Sequence, residues 1–264
     1  MCHKIILILS LFFFSLQAYA KIKINIHVDN AYIPFSFKDG KQAKGMYIDV
    51  LKAVFRKMPD FEVSLTPIPW SRGKVMMKKG QGFGLAPAFF HGHDWPYLYP
   101  YSLPFYTETI EAICHEGTLK KTARKNWPDD YIGLKIGNVN GFDGWGGEKF
   151  RALVKEKKIA YFEVGGSEAL IKMVESKRAD CIMMEDKAFD FVLRKLKNSN
   201  KKGKSFGSNL VKSAIIGQDP VYIGYSKKKL DLQDSLKFRQ AFDSALYLML
   251  KNGEVEKIMD AYKD

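Results

Sequence analysis

The stretch KIKINIHVDNAYIPFSFKDGKQAKGMYIDVLKAVFRKM, residues 21–58, carries two hydrophobic periods in succession. Ile22, Ile24, Ile26 and Val28 alternate with other residues at the period of a strand, and Tyr47, Val50, Leu51, Val54, Phe55 and Met58 recur along one face of a helix. The pattern continues downstream. Residues 61–66 read as a second strand, 70–79 as a short helix ended by Gly80, and 83–86 as a third strand. Glycine tolerates the left-handed turn that closes a helix, which makes Gly80 a natural stop. Strand, helix, strand, helix, strand in this order argues for a parallel sheet with helices on both faces.

The same alternation restarts further along. Strands are predicted at 110–114, 134–139, 181–184 and 221–225, with helices at 147–155, 167–177 and 186–196. The helix at 167–177 is expected to bury Ala169, Leu170, Met173 and Val174. Two closing helices carry apolar stripes, Phe238, Phe242, Ala245, Leu246 and Met249 on one, Val255, Ile258, Met259 and Tyr262 on the other. No internal repeat or long linker interrupts the chain. Two α/β units followed by spare helices predict a chain that leaves one lobe and returns to it.

Upstream of residue 21 the chain reads as a cleavable export signal. Lys4 supplies one positive charge, residues 5–16 are almost wholly apolar, and Ala18-Tyr19-Ala20 is a small–x–small cleavage pattern. The apolar run is about twelve residues, short of the roughly twenty that span a bilayer. Residues 1–20 are therefore a predicted signal peptide, and a periplasmic location is expected. Removing them leaves 244 of 264 residues and lowers the net charge from +13 to +12, enough chain for one large or two modest domains. The basic surface favours anionic partners, but the lysines are scattered rather than striped, and nucleic acid suits an exported protein poorly. The densest cluster, 195–204, reads as a solvated loop or lobe edge. Cys114 and Cys181 remain open: export permits a disulfide, and each also sits in an apolar run where buried thiols are common.

Several segments together resemble one family. Asp29-Asn30-Ala31-Tyr32-Ile33-Pro34-Phe35-Ser36-Phe37 followed by Gly45-Met46-Tyr47-Ile48-Asp49-Val50, then Ser102-Leu103-Pro104-Phe105-Tyr106, Arg178-Ala179-Asp180-Cys181 and Tyr222-Ile223-Gly224-Tyr225-Ser226-Lys227, are similar in order and spacing to bacterial extracellular solute-binding proteins of the amino-acid type, the substrate-binding family of ABC transporters, as a divergent branch. The resemblance implies a two-lobed periplasmic-binding-protein fold of type II. Each lobe is a mostly parallel sheet flanked by helices, and two strands cross between them. Lobe one would take residues 21–107 and 220–264, lobe two 108–219. Such lobes close on a ligand by a hinge, and contacts from both stabilise the closed state.

The resemblance also points to ligand-binding residues. Tyr32 and Trp70 match aromatics that pack against the ligand, and paired rings bury large area and favour a cationic or planar group; either ring also reads as plain core. Asp29 falls where some members meet a cationic ligand group, or is a turn residue. Glu185 matches an acid that takes the ligand's ammonium, or caps the helix after it. Asn138, Asn140, Gly141 and Phe142 occupy a turn whose N–H groups meet an anion in the family, and whose glycines, Gly144 among them, suit an ordinary turn equally.

Departures from the pattern matter as much. Trp95 stands where the family carries the arginine that grips an α-carboxylate with a bidentate fork, and Pro87, Ala88 and Phe90 replace small hydroxyl residues; at those positions Trp95 and Phe90 are themselves candidate ligand-binding residues. No arginine lies between Arg72 and Arg124. An ordinary free amino acid is therefore a poor fit, with Arg72 the only nearby substitute. His91-Gly92-His93-Asp94 has metal-binding residue types but no second cluster to complete a site, and no metal or cofactor is expected. No zinc-protease, phosphate-loop or serine-elbow motif occurs. Some relatives on this fold are dehydratases, for which Glu185 is the one candidate acid or base, but no enzymatic activity is expected. The sequence predicts a monomeric binding module for a small polar solute, delivering it to a membrane permease or, alternatively, reporting it to a sensor protein.

Overall fold

A computed structural model describes residues 20–92, 94–120, 123–142, 145–199, 206–230 and 233–262. Residues 1–19 of the predicted signal peptide, His93, Gly144 and residues 200–204 of the lysine cluster lie outside them. The chain runs β1 (Ile22–Asp29), β2 (Ala31–Tyr32), β3 (Ser36–Asp39), β4 (Gln42–Lys44), α1 (Met46–Arg56), β5 (Phe61–Ile68), α2 (Trp70–Lys79), β6 (Gly84–Ala88), β7 (Leu98–Tyr101), β8 (Tyr106–His115) and a single turn α3 (Glu116–Leu119). It continues through β9 (Lys135–Val139), α4 (Gly147–Lys155), β10 (Ala160–Val164), α5 (Ser167–Glu175), β11 (Cys181–Glu185), α6 (Asp186–Ser199), β12 (Leu210–Ser226), α7 (Gln233–Lys251) and α8 (Glu254–Asp260).

The main sheet has the order β10-β9-β11-β8-β12-β6-β1-β5, with β7 also pairing β12. Its outer strands are parallel on both sides: β1 with β5 and β6, β9 with β10 and β11. Antiparallel pairing occurs in the middle, where β12 meets β8, β6 and β7. β12 spans 17 residues. It pairs with β8 from Leu210 to Val221 and with β6 from Tyr222 to Tyr225, so one strand belongs to both halves of the sheet.

Only the last residues of β12 were legible as a strand. Upstream, two register shifts between Lys212 and Gly217 break the alternation, and half-exposed polar residues line it. β10 was missed because it is an edge strand with a half-exposed surface on both sides. The small antiparallel sheet β2-β3-β4 is built from strands of two to four residues, too short to show a period.

Helical stripes bury largely as their spacing predicts. In α1, Tyr47, Val50, Leu51 and Val54 are fully buried. On α7, Phe238 packs against Phe61 and Phe83, ring centroids 5.3 Å apart in each pair, so the closing helix is seated on the first half of the sheet. Each such fully buried side chain contributes about 1.5–3 kcal/mol relative to exposure. One stripe is corrected: α5 buries Ser167, Leu170, Ile171 and Val174, whereas Ala169 is exposed and Met173 half-buried. The buried face is set by the contact of α5 with α6 and β11. Gly80 caps α2 at φ 73°, in the left-handed region, its N–H donating to Met77 O at 3.0 Å. Cys114 on β8 lies directly opposite Cys181 on β11, and the two form a disulfide.

Candidate functional site: an aromatic cleft between two halves of the sheet

Asp29 ends β1 opposite Ile68 at the end of the parallel strand β5, Trp70 opens α2 just beyond and Tyr32 sits on β2, so the C-terminal ends of two neighbouring strands bring these side chains together. Pro87 of β6 and Phe89, His91 and Trp95 from the segment after it extend the wall. Phe142 and Trp145, from the segment between β9 and α4, close it from the opposite half. The chamber so formed encloses about 20 Å³, space for about one water molecule. A second chamber of about 190 Å³ shares Asp29, Trp70 and Phe142 and is completed by Asn30, Ser71, Asn140 and neighbouring backbone.

The rings meet at angles suited to aromatic contact, where the positive edge of one ring faces the negative face of another. Tyr32 and Phe142 lie edge to face at 5.1 Å, and Phe142 and Trp145 at 5.3 Å. Trp70 packs on Trp95 at 5.9 Å, and His91 on Trp95 at 4.2 Å. One polar bridge accompanies the rings: Lys74 Nζ on α2 donates to Gly141 O at 3.1 Å and also lies 5.2 Å over the Trp95 ring.

The acids around the cleft are buried. Asp29 is 3% exposed, accepts from the Ala31 N–H at 2.9 Å, and is pushed up to about 7 by burial. Below Tyr32, Glu108 on β8 is fully buried, with both carboxylate oxygens accepting from phenols, Tyr32 and Tyr47, at 2.7 Å each. Burial raises Glu108, opposed by the two phenol bonds, and Asp219 raises it further. Asp219 is its direct partner on β12. Glu185 is raised by burial and by Glu108.

Of the residues singled out in the sequence, Asp29, Tyr32, Trp70, Trp95, Asn140 and Phe142 line one or both chambers. Three others are placed elsewhere. Arg72 is exposed on α2, because a residue two beyond Trp70 turns away from the helix face that carries it. Phe90 is 61% exposed with its ring against Tyr101, since its neighbour Phe89 takes the inward direction. Glu185 is buried and accepts from Ala188 N–H at 2.7 Å, which makes it the cap of α6, and it lines neither chamber.

The turn at 138–142 spends its donors on itself and on β10. Val139 N–H bonds Asn138 Oδ1 at 2.8 Å, Asn140 N–H bonds Val164 O at 2.8 Å, and Phe142 N–H bonds Val139 O at 3.0 Å. Gly141 N–H faces the Glu163 carboxylate at 3.4 Å. These backbone donors of the turn are thereby committed, and neither lysine nor arginine is among the residues lining the two chambers, the Lys74 ammonium lying instead over the outside of the Trp95 wall ring.

Sequence reasoning missed Phe89, His91 as a wall residue, Trp145 and Glu108. Phe89 and Trp145 follow no period, being in loops, and Glu108 lies ahead of the strand expected at 110–114, which in the structure begins at Tyr106. The His91–Asp94 segment carries a wall residue, His91, next to His93, which lies outside the described residues.

No protein-family model and no curated protein matches the sequence. Solved structures do. A structure from glutathione import in Gram-positive bacteria via GshT and the cystine ABC importer TcyBC of Streptococcus mutans is 16% identical, with 92% of this chain and 95% of that chain covered and a TM-score of 0.71. A histidine kinase sensor domain with similarity to periplasmic binding proteins is 14% identical, with 92% and 96% covered and a TM-score of 0.70. The amino acid ABC transporter substrate-binding protein AbpA of Streptococcus pneumoniae, bound to L-arginine, is 17% identical, with 90% and 93% covered and a TM-score of 0.66. A nearly complete overlap at so low an identity speaks for architecture, and the architecture is the two-lobed α/β fold of the periplasmic binding proteins.

Proposed function

We propose that this protein is a periplasmic solute-binding protein whose two lobes, residues 21–107 with 220–264 and residues 108–219, close on a small polar solute. The observation that carries the reading is the aromatic chamber whose walls come from both halves of the sheet. A solute bound there touches both lobes at once, and only such differential contact shifts a hinge equilibrium toward closure. An ordinary free α-amino acid fits poorly, because Trp95 occupies the arginine position and the 138–142 turn keeps its own donors. The protein acts as a monomer and hands its solute to a membrane permease, with no catalytic step. The likeness to AbpA and to the TcyBC-associated structure supports this partner.

A thermal-shift screen of residues 21–264 against amines, carboxylates, peptides and amino acids tests the binding reading. A saturating ligand adds about 2.7 kcal/mol at a hundredfold its Kd. The stabilisation should be lost in both Trp70→Ala and Phe142→Ala, one from each side of the cleft. A shift that survives both substitutions overturns the site.

A second reading has its own support in the sensor domain of a histidine kinase, which overlaps this chain at a TM-score of 0.70. In that case the closed form reports to a receptor instead of a permease. Co-purification of the liganded protein with a kinase ectodomain, and not with a permease, would favour it.

A further inference from the structure

The two chambers differ in chemistry, and the difference specifies a ligand class. The inner one is walled by six aromatic side chains, Tyr32, Trp70, Phe89, Trp95, Phe142 and Trp145, with His91, Pro87 and one acid, Asp29. The aromatic faces carry negative potential and attract a cation placed over them. The wall itself demonstrates this, since the Lys74 ammonium lies 5.2 Å over the Trp95 ring. Lys74 is not itself among the residues lining the chamber, so its ammonium engages Trp95 from beside the chamber and no lysine or arginine is among the lining residues.

The number of hydrogen-bond acceptors narrows the cation further. Asp29 is the one acid on the wall, its Oδ1 already accepts from Ala31 N–H, and its Oδ2 and the His91 imidazole are the other side-chain acceptor groups among the lining residues apart from the Tyr32 hydroxyl. Tyr32 Oη is turned away, donating to Glu108. A primary ammonium with three N–H donors, or a guanidinium with five, would leave donors unpaired in such a chamber, which is costly. A methylated ammonium has none to satisfy and gains contact with the rings through its methyl groups. The outer chamber of about 190 Å³ opens beside the same Asp29, Trp70 and Phe142, and it presents Asn30, Ser71 and Asn140 to a polar tail.

Resting on the reading of this cleft as a ligand site, we propose that it takes a small organic cation with a methylated ammonium head, the head seated among the aromatic rings against Asp29 and a short polar tail lying in the outer chamber. The inner chamber is nearly full in this form, at about 20 Å³. Seating the head therefore parts Phe142 and Trp145 from the rings across the cleft. Trp70, Trp95 and Trp145, three of the four tryptophans in the chain, report that movement.

The test is calorimetric titration and tryptophan fluorescence on residues 21–264 with four probes: choline, tetramethylammonium as the head alone, 3,3-dimethylbutan-1-ol as the uncharged isostere of choline, and L-arginine. Choline should bind at least tenfold more tightly than the isostere, with a change in tryptophan emission. Asp29→Asn should weaken choline tenfold or more and leave the isostere within twofold. Trp95→Phe, which keeps a ring and the fold, should weaken choline and tetramethylammonium alike. Equal affinity for choline and its isostere overturns the cation assignment. Binding of L-arginine at the tryptophans without binding of choline overturns the methylated head while leaving the binding protein intact. Failure of all four probes at millimolar concentration overturns this proposal, and the thermal-shift screen then decides the broader reading independently.

Discussion

The Tyr32 hydroxyl donates to Glu108 Oε2 at 2.7 Å, so the ring that walls the cleft is bonded to a fully buried acid on β8, next to the strand β12 that belongs to both halves of the sheet. Tyr47 Oη holds the other oxygen from α1. A wall residue of the candidate cleft is thereby tied to the strand next to the one that both halves of the sheet share. Tyr32→Phe keeps the ring and removes the bond. It should cost about 1–3 kcal/mol, the penalty for a buried acceptor left unpaired, read as a lower midpoint in urea unfolding with an unchanged slope. An unchanged midpoint would mean that Glu108 finds another donor.

Stability should fall with rising pH. Asp29, Glu108 and Glu185 are all raised by burial, and the last two also by neighbouring acids. Asp219 opposite Glu108 is raised as well, whereas Asp186 and Lys187 act on Glu185 in opposite directions. A raised folded-state value means that the native protein keeps protons which the unfolded chain has released. The stabilisation is present below about pH 4 and is lost as pH climbs through the folded values, about 7 for Asp29. The melting temperature should drop between pH 5 and pH 8.5, and Asp29→Asn should remove part of that drop, on the order of 1–3 kcal/mol. A profile that rises over this range would contradict the burial argument.

The disulfide joins residues 67 apart in sequence. Loop-closure entropy for that separation is worth about 4 kcal/mol. Replacing both Cys114 and Cys181 with alanine should lower the melting temperature by roughly 8–16 °C for a chain of this size, and reductant should do the same to the wild type alone. Equal melting with and without reductant would show that the bridge adds nothing.

Lys74 spans the cleft by its bond to Gly141 O and also packs over Trp95. Lys74→Met keeps the stem and removes the charge. Small-angle scattering should then show a larger radius of gyration in the free protein, and ligand affinity should fall about fivefold, the worth of about 1 kcal/mol. No change in either would assign closure to the rings.

Arg72 and Phe90 provide a control. Both were plausible ligand residues in the sequence, and both lie outside the chamber walls. Arg72→Ala and Phe90→Ala should leave ligand affinity within twofold, measured by the same titration. A loss of tenfold in either would return that residue to the site.

What the amino-acid sequence determined by itself is the architecture. Alternating Ile22 to Val28, the α1 stripe and the phenylalanine stripe of α7 are local periods, and a period states which face is buried without reference to any other part of the chain. α2 and α4 have the same bounds in the sequence reading and in the structure for that reason, helped by Gly80 as a stop. Part of the candidate cleft was legible too, since its wall residues Asp29, Tyr32, Trp70 and Trp95 stand at positions marked by order and spacing. The remainder required tertiary structure. Phe89 and Phe90 follow the end of β6 with no period to say which turns inward, and Trp145 meets Phe89 at 6.3 Å only because the segments after β6 and β9 face each other across the cleft. The disulfide depended on the register of β8 with β11. Glu108 acquired its role from burial and two phenols contributed by separate elements, and the chemistry of an acid is set by that surrounding field rather than by its place in the chain.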